Sequence, residues 1–316
     1  MFDLVGLDAA SAIVREVMPP TPQYAWPLLA ARTGAEVWVK HENHTPTGAF
    51  KVRGGLVYAA GLRARPEVRG LVTATRGNHG QSIALAGRSV GLPVTIVVPH
   101  GNSVEKNAAM RAFGAELVEH GEDFDQARVE ARRIAADRQF ELVPSFHPDI
   151  VRGVATYARE LFDVVGGLHT VYVPIGMGSG ICGLIRTRDL LGLATRIVGV
   201  VSTEAPAMAL SLEAGRIVTT ATAHTFADGM ACREPDIAAF ETIRAGAERI
   251  VRVDDAQIAA AIRAYWTDTH NLAEGAGAAP LAALLGEREA MRGRKVGVIL
   301  CGGNIDLALA MRVLAG

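Results

Sequence analysis

What this chain lacks narrows it first. Aromatic residues make up only 5% of it, the formal charge nets to −1, and no lysine or arginine run alternates with aromatics, so a nucleic-acid surface has little basis in the sequence. No apolar stretch reaches the length of a membrane span. Cysteine is scarce: Cys182, Cys232 and Cys301 form an odd set without metal spacing, as expected in a reducing cytoplasm. Met1 to Pro20 carries Asp3, Asp8, Arg15 and Glu16, which argues against a secretion signal. Repeats and low-complexity linkers are missing too.

What is present suits a metabolic enzyme. At 316 residues, 49% hydrophobic and 21% charged, the chain can bury a large core and is expected to form two lobes. Strand-like runs at 37–41, 71–75, 94–98, 116–119, 141–143, 170–175, 197–201, 250–253 and 296–301 alternate with helical patterns such as Asp125 to Arg138 and Asp255 to Thr269. That alternation predicts a parallel α/β protein.

Three segments carry candidate chemistry. Ala49-Phe50-Lys51-Val52-Arg53-Gly54 places an amine at the end of an apolar strand where a helix begins, after the turn-forming Thr45-Pro46-Thr47-Gly48. Burial lowers the pKa of an amine toward the range where it attacks carbonyl carbon, although a lysine whose head snorkels to water reads equally from this segment alone. Thr75-Arg76-Gly77-Asn78-His79-Gly80-Gln81-Ser82 is a strand-to-helix turn ahead of a helical run from Ile83 to Gly91. Its backbone N–H groups can face a carboxylate, or it can be a plain Gly-Asn turn. Val173-Pro174-Ile175-Gly176-Met177-Gly178-Ser179-Gly180-Ile181-Cys182-Gly183 passes from strand through glycines into helix, a shape that suits a phosphate at the positive end of a helix dipole. Within it Gly178, Gly180 and Gly183 have dinucleotide spacing, with Glu204 placed as a ribose acid would be. A nicotinamide-dependent oxidoreductase therefore competes, but leaves Lys51 and Asn78 without a task.

Together the segments resemble the fold-type II pyridoxal-phosphate enzymes, specifically the serine/threonine dehydratase (threonine ammonia-lyase) and serine racemase group, over nearly the whole chain. Phe50-Lys51-Val52-Arg53-Gly54 is similar to that family's lysine motif, Gly77-Asn78-His79-Gly80 to its asparagine loop and Gly176-Met177-Gly178-Ser179-Gly180 to its phosphate cradle. Leu300-Cys301-Gly302-Gly303-Asn304 supplies a fourth match. The resemblance implies a tryptophan synthase β-subunit-like α/β fold with a small mobile lobe, 69–146, inserted in a large lobe, 1–68 and 147–316. It implies pyridoxal 5′-phosphate as cofactor, bound by Phe50, Lys51, Asn78, Gly176 to Gly180 and Cys301. The substrate, a small amino acid, would meet Thr75, Arg76, Gly77, Asn78, His79 and His147. Lys51 would join the cofactor and serve as the base at Cα, while Cys301 beside the pyridine nitrogen would favour loss of a β-hydroxyl.

Departures from the family pattern modify those expectations. Alanine stands at position 49 where the family often has serine. Arg76 occupies the place of the second base of serine racemases, and arginine is a poor proton acceptor, so dehydration is expected over racemisation. Arg76 would suit an acidic substituent, as on 3-hydroxyaspartate. The family's divalent site pairs an acid at position 204 with an aspartate six residues on, but here Leu210 follows Glu204, so no metal is expected. Ser145-Phe146-His147-Pro148, Thr225 to Ala231 and the segment opened by Glu274 resemble site-lining stretches less specifically. No regulatory domain is expected after Asn304, and a cytoplasmic homodimer is.

Overall fold

The computed structural model describes residues 2–316. Ten strands are found there: β1 (Gln23–Ala25), β2 (Glu36–His41), β3 (Leu71–Ala74), β4 (Val94–Val98), β5 (Glu116–Glu119), β6 (Glu141–Leu142), β7 (Thr170–Pro174), β8 (Arg196–Ser202), β9 (Arg249–Val253) and β10 (Lys295–Leu300). They form two sheets, and the chain divides into two compact units with one sheet each.

The first unit comprises Thr45–Thr156 and the segment ending at Pro19. Its sheet has the order β5-β4-β3-β6 with every pair parallel. Strands β3 and β4 are buried along their whole length, which is why they read as unbroken apolar runs rather than alternating ones. On this sheet Val72, Ala74 and Val97 pack against Ala127, Ala131 and Ile134 of the helix Phe124–Arg138. A second cluster joins Ala10, Val14 and Met18 to Val52, Leu56 and Val57 of the helix Lys51–Gly61 and to Ala86 of the helix Asn78–Ser89. Each such valine, leucine or methionine contributes about 1.5–3 kcal/mol by burial. Glycines bring the two latter helices together: a Cβ on Gly55 would stand 2.3 Å from Ser82 Oγ.

The second unit comprises Pro20–His44 and Tyr157–Gly316. Its sheet has the order β1-β2-β10-β7-β8-β9, parallel except for the antiparallel β1–β2 pair. Because β7, β8 and β10 run the same way, the segments following them, with Gly176, Glu204 and Cys301, leave one edge of the sheet. Glycine turns and strand ends at that edge are where parallel sheets place ligands. At the β2 end, the fully buried Lys40 ammonium donates to Thr21 O (2.8 Å), Gln23 Oε1 (3.0 Å) and Glu160 Oε2 (2.7 Å), which matches its three N–H bonds.

The expected α/β architecture with two mainly parallel, helix-flanked sheets is what the chain adopts. Some local expectations differ. Lys51 does not follow a strand: β2 ends at His41, and a loop with a short 3₁₀ turn, Glu42–His44, intervenes. The helix expected from Ile83 begins at Asn78: the polar residues His79, Gln81 and Ser82 are buried in it, with Ser82 packed on the neighbouring helix, instead of forming a turn. Likewise the helix expected near Gly153 begins at Pro148. Strand β1, too short to show a period, was not foreseen. Compactness groups 45–68 with the four-stranded sheet, whereas the lobes implied by the resemblance concern motion.

Candidate active site

In the first unit, Lys51 is the first residue of its helix and half-buried. The loop before it is fixed by Thr45, whose Oγ1 accepts from Ala49 N and donates to Ala49 O, both at 2.9 Å. Gly48, at φ +67°, closes that turn with its N–H on Thr45 O. Lys51 Nζ lies 5.2 Å from the centroid of the Phe50 ring, and Lys51 O accepts from Ser82 Oγ at 2.6 Å. The lysine is thereby tied to the helix that begins at Asn78.

That helix opens without a side-chain cap at Gly77, so its first-turn N–H groups have no intrahelical acceptors, an arrangement that can receive an anion. Thr75 Oγ1 accepts from Gly77 N at 3.0 Å and shapes the turn. Behind it, a Cβ on Gly80 would stand 2.4 Å from Met110 Sδ and 2.6 Å from Thr75 Cγ2, so the helix start is pressed onto the sheet. His79 is buried, and its Nε2 has no hydrogen-bond partner. Burial first, and then the charge of Lys51, push the His79 pKa down to about 3, against a hydrogen bond to the Val143 backbone. The ring is therefore neutral and close to Lys51. Arg76 is exposed and makes no ionic contact among the described residues.

His147 precedes the helix Pro148–Val164. Its Nδ1 accepts from Asp149 N at 3.2 Å and its ring meets Tyr58 edge-on at 5.0 Å, so the structure gives it a capping task beside any contact with substrate. Tyr58 OH donates to Glu141 Oε1 at 3.0 Å.

In the second unit, Gly176 to Gly180 lead from β7 into the helix Ser179–Leu190, whose N-cap Gly178 has φ +97° and no side-chain cap. Only glycine adopts that conformation without strain. A Cβ on Gly176 would come within 2.1 Å of Gly229 O and 3.8 Å of Cys232 Sγ, and one on Gly178 within 2.7 Å of Ala239 Cβ. Ser179 is buried, Met177 half-buried, and Tyr157 OH donates to Gly180 O at 2.8 Å. The turn is held from both sides.

Cys301 follows β10 and is buried. Glu274 N donates to Gly302 O at 3.1 Å, and a Cβ on Gly277 would meet the same carbonyl at 2.4 Å. Glu274 Oε1 is in turn 4.0 Å from the Cβ position of Gly229. Within this unit the segments 176–180, 227–232, 274–277 and 301–302 thus pack in a chain. Glu204 is exposed, at the strand end.

Sequence reasoning assigned Ser82 and Cys232 no role of their own and did not mark Tyr265 at all. The Tyr265 hydroxyl is buried with no hydrogen-bond partner, and burial, then the neighbouring Cys301, raise its pKa. Nothing in the helical run Ala264-Tyr265-Trp266 marks which aromatic faces inward.

Comparison with known proteins bears on what these turns hold. The family described as pyridoxal-phosphate dependent enzyme matches residues 14–302. The chain is 32% identical over 315 residues to an L-threonine ammonia-lyase of Thermotoga maritima, covering 99% of this chain and 78% of that protein. It is 30% identical over 311 residues to an L-threo-3-hydroxyaspartate ammonia-lyase of Saccharomyces cerevisiae, covering 98% and 95%. The processed form of threonine deaminase isoform 2 from Solanum lycopersicum superposes with a TM-score of 0.91 at 29% identity, over 100% of this chain and 95% of that one.

Proposed function

The chain belongs to the pyridoxal-phosphate-dependent enzymes, and on that premise we propose that it is a lyase that removes water from a β-hydroxy amino acid to give a 2-oxo acid and ammonium. The residues present fit the cofactor. A phosphate needs convergent N–H groups without side-chain bulk, and the helix Ser179–Leu190 opens uncapped at Gly178, in a turn where Gly176 and Gly178 are pressed so closely onto Gly229 and Ala239 that neither could carry a Cβ. With pyridoxal phosphate as cofactor, the competing nicotinamide reading of Gly178, Gly180, Gly183 and Glu204 loses its footing.

Bound pyridoxal phosphate supplies an electron-withdrawing ring that accepts the charge left when Cα loses its proton. Gly176, Met177, Gly178, Ser179 and Gly180 would hold its phosphate, Asn78 its phenolic oxygen, Phe50 its surroundings and Cys301 its pyridine nitrogen. Lys51 Nζ would hold it covalently and, once released, take the Cα proton. A neutral His79 leaves that amine without a second positive charge to repel it as it gains a proton. The Thr75–His79 backbone at the start of the Asn78 helix would orient the substrate carboxylate, with His147 toward the side chain. Orientation decides which bond at Cα breaks. As the β-hydroxyl leaves, the enamine product tautomerises and hydrolyses, so one water is lost, one regained, and ammonium released.

The observation that carries this reading is the joining of Lys51 to the anion-seating helix through Ser82, with neutral His79 beside it. Its test is ammonium and 2-oxo acid release from serine, threonine and 3-hydroxyaspartate, with Lys51→Ala as control. Stoichiometric release lost in the variant supports the reading; release that persists in Lys51→Ala removes it. Arg76 favours a second reading, 3-hydroxyaspartate as substrate, because its guanidinium is exposed beside the carboxylate seat without an acidic partner. A kcat/KM for 3-hydroxyaspartate above that for threonine, reversed in Arg76→Ser, would establish it.

We retain 69–146 as the proposed mobile lobe, supported by the containment of β3 to β6 within it. A cytoplasmic homodimer is proposed on three free cysteines and on the exposed apolar side chains Trp266, Leu307 and Met311.

A further inference from the structure

One cavity lies apart from all these segments. It opens at the edge of the six-stranded sheet where β7, β8, β9 and β10 begin, while Gly176 and Cys301 leave the opposite edge. Its volume is about 600 Å³, within the range of small-molecule sites, and His169, Arg196, Arg249, Glu287 and Arg294 line it. These cations are not equally available. Arg249 is taken up by Glu287, with Nε 3.1 Å from Oε1 and Nη2 on Oε2, while Tyr172 OH also donates to that carboxylate. Glu289, at the rim, is occupied by Arg292 at 2.9 Å. Arg196 reaches only Glu248, at 3.6 Å with both side chains exposed, an arrangement that neutralises little. Arg294 has no ionic partner among the described residues. One guanidinium thus has no ionic partner among the described residues, and a second has only a long, exposed one. Burial, and then the fields of Arg294, Arg196 and Arg249, hold the His169 pKa below its ordinary value, against the opposing field of Glu248.

We propose that this cavity binds a small molecule bearing a phosphate monoester, gripped by Arg196 and Arg294. A dianionic tetrahedral group matches two guanidinium forks in charge and offers oxygens to both, whereas a single carboxylate answers one. The cavity exceeds an inorganic phosphate, so an organic body fills the remainder. The helix Gly275–Gly286 runs from Glu274, hydrogen-bonded to Gly302 beside Cys301, to Glu287 in the cavity wall.

The test is isothermal titration of the cofactor-loaded protein with glycerol 3-phosphate, with glycerol and succinate as comparisons. Expected is one saturable site per chain for glycerol 3-phosphate. Arg294→Ala and Arg196→Ala should each weaken it about tenfold, the loss of one charge-assisted hydrogen-bonding group, while Arg111→Ala on the first unit leaves it unchanged. Arg294→Lys should fall between, keeping charge without the fork. Heat no larger than for glycerol, or a binding constant indifferent to both alanine variants, would overturn the site. Succinate binding as tightly would overturn the assignment to phosphate.

Discussion

The two glycine turns that open the helices Asn78–Ser89 and Ser179–Leu190 look alike in sequence but differ in what makes glycine necessary. At Gly77 the obstacle to a Cβ is Lys106 Cδ at 2.7 Å, the flexible stem of a side chain. At Gly176 it is the backbone carbonyl of Gly229, and at Gly178 a left-handed φ adds to the crowding. The first turn can adjust and the second cannot. An adjustable anion seat suits a substrate that comes and goes; a rigid one suits a phosphate that stays. The comparison also separates the proposed roles: Lys51, the proposed reacting amine, is in the first unit, and the turn proposed to anchor the phosphate is in the second.

The largest expected effect comes from removing the amine while sparing the anchor. Lys51→Ala should lower kcat by about 10³-fold or more, yet equilibrium dialysis should still find pyridoxal phosphate bound. Loss of all cofactor binding in that variant would break the comparison, since anchoring would then rest on the lysine.

Acid tests both units next, because each buries a neutral histidine. His79 has its pKa pushed down to about 3 as described above, and His41 in the second unit to about 4, by burial first and then by His44 and Lys40. Below their ordinary value of 6.5 the unfolded chain binds protons that the folded chain refuses. Stability is thus fully present above pH 6.5 and lost as pH falls toward about 4 and about 3. Each histidine sets a slope of up to ~1.4 kcal/mol per pH unit in that window. Urea unfolding at pH 7 and 4.5 measures the loss, and both His79→Gln and His41→Gln should flatten it.

Gly176→Ala should cost about 1–3 kcal/mol of stability, since backbone must move, and weaken cofactor binding by about tenfold or more. Gly77→Ala should cost about 1 kcal/mol or less, because Lys106 can swing aside, and should raise KM more than it lowers kcat. Equal costs at the two positions, read from urea midpoints and cofactor titrations, would remove the distinction between the turns.

Much of this was legible in the sequence, and unevenly. Strands buried on both faces, such as β4 and β7, stand out as apolar runs whose bounds come within a residue of those seen. Glycine turns between strand and helix are visible because their chemistry is local. The helix start at Asn78 was less legible, since Asn-His-Gly-Gln-Ser has poor intrinsic propensity and is buried by tertiary contacts, Gly80 on Met110 and Thr75 and Ser82 on the Lys51–Gly61 helix. The loop before Lys51 hid for a similar reason: the apolar Ala49 is buried by contacts with Thr45 and Thr47 rather than by a sheet. Tyr265 and the cavity at Arg196, Arg249 and Arg294 bring together residues distant in the chain, and no local pattern announces such meetings.

The most direct test of the central claim, that Lys51 carries the cofactor, is borohydride reduction of the yellow protein followed by peptide mass analysis. The account predicts one reduced pyridoxyl group, on the peptide containing Lys51. A label on Lys40, Lys106 or Lys295, or no label at all on cofactor-loaded protein, would contradict it.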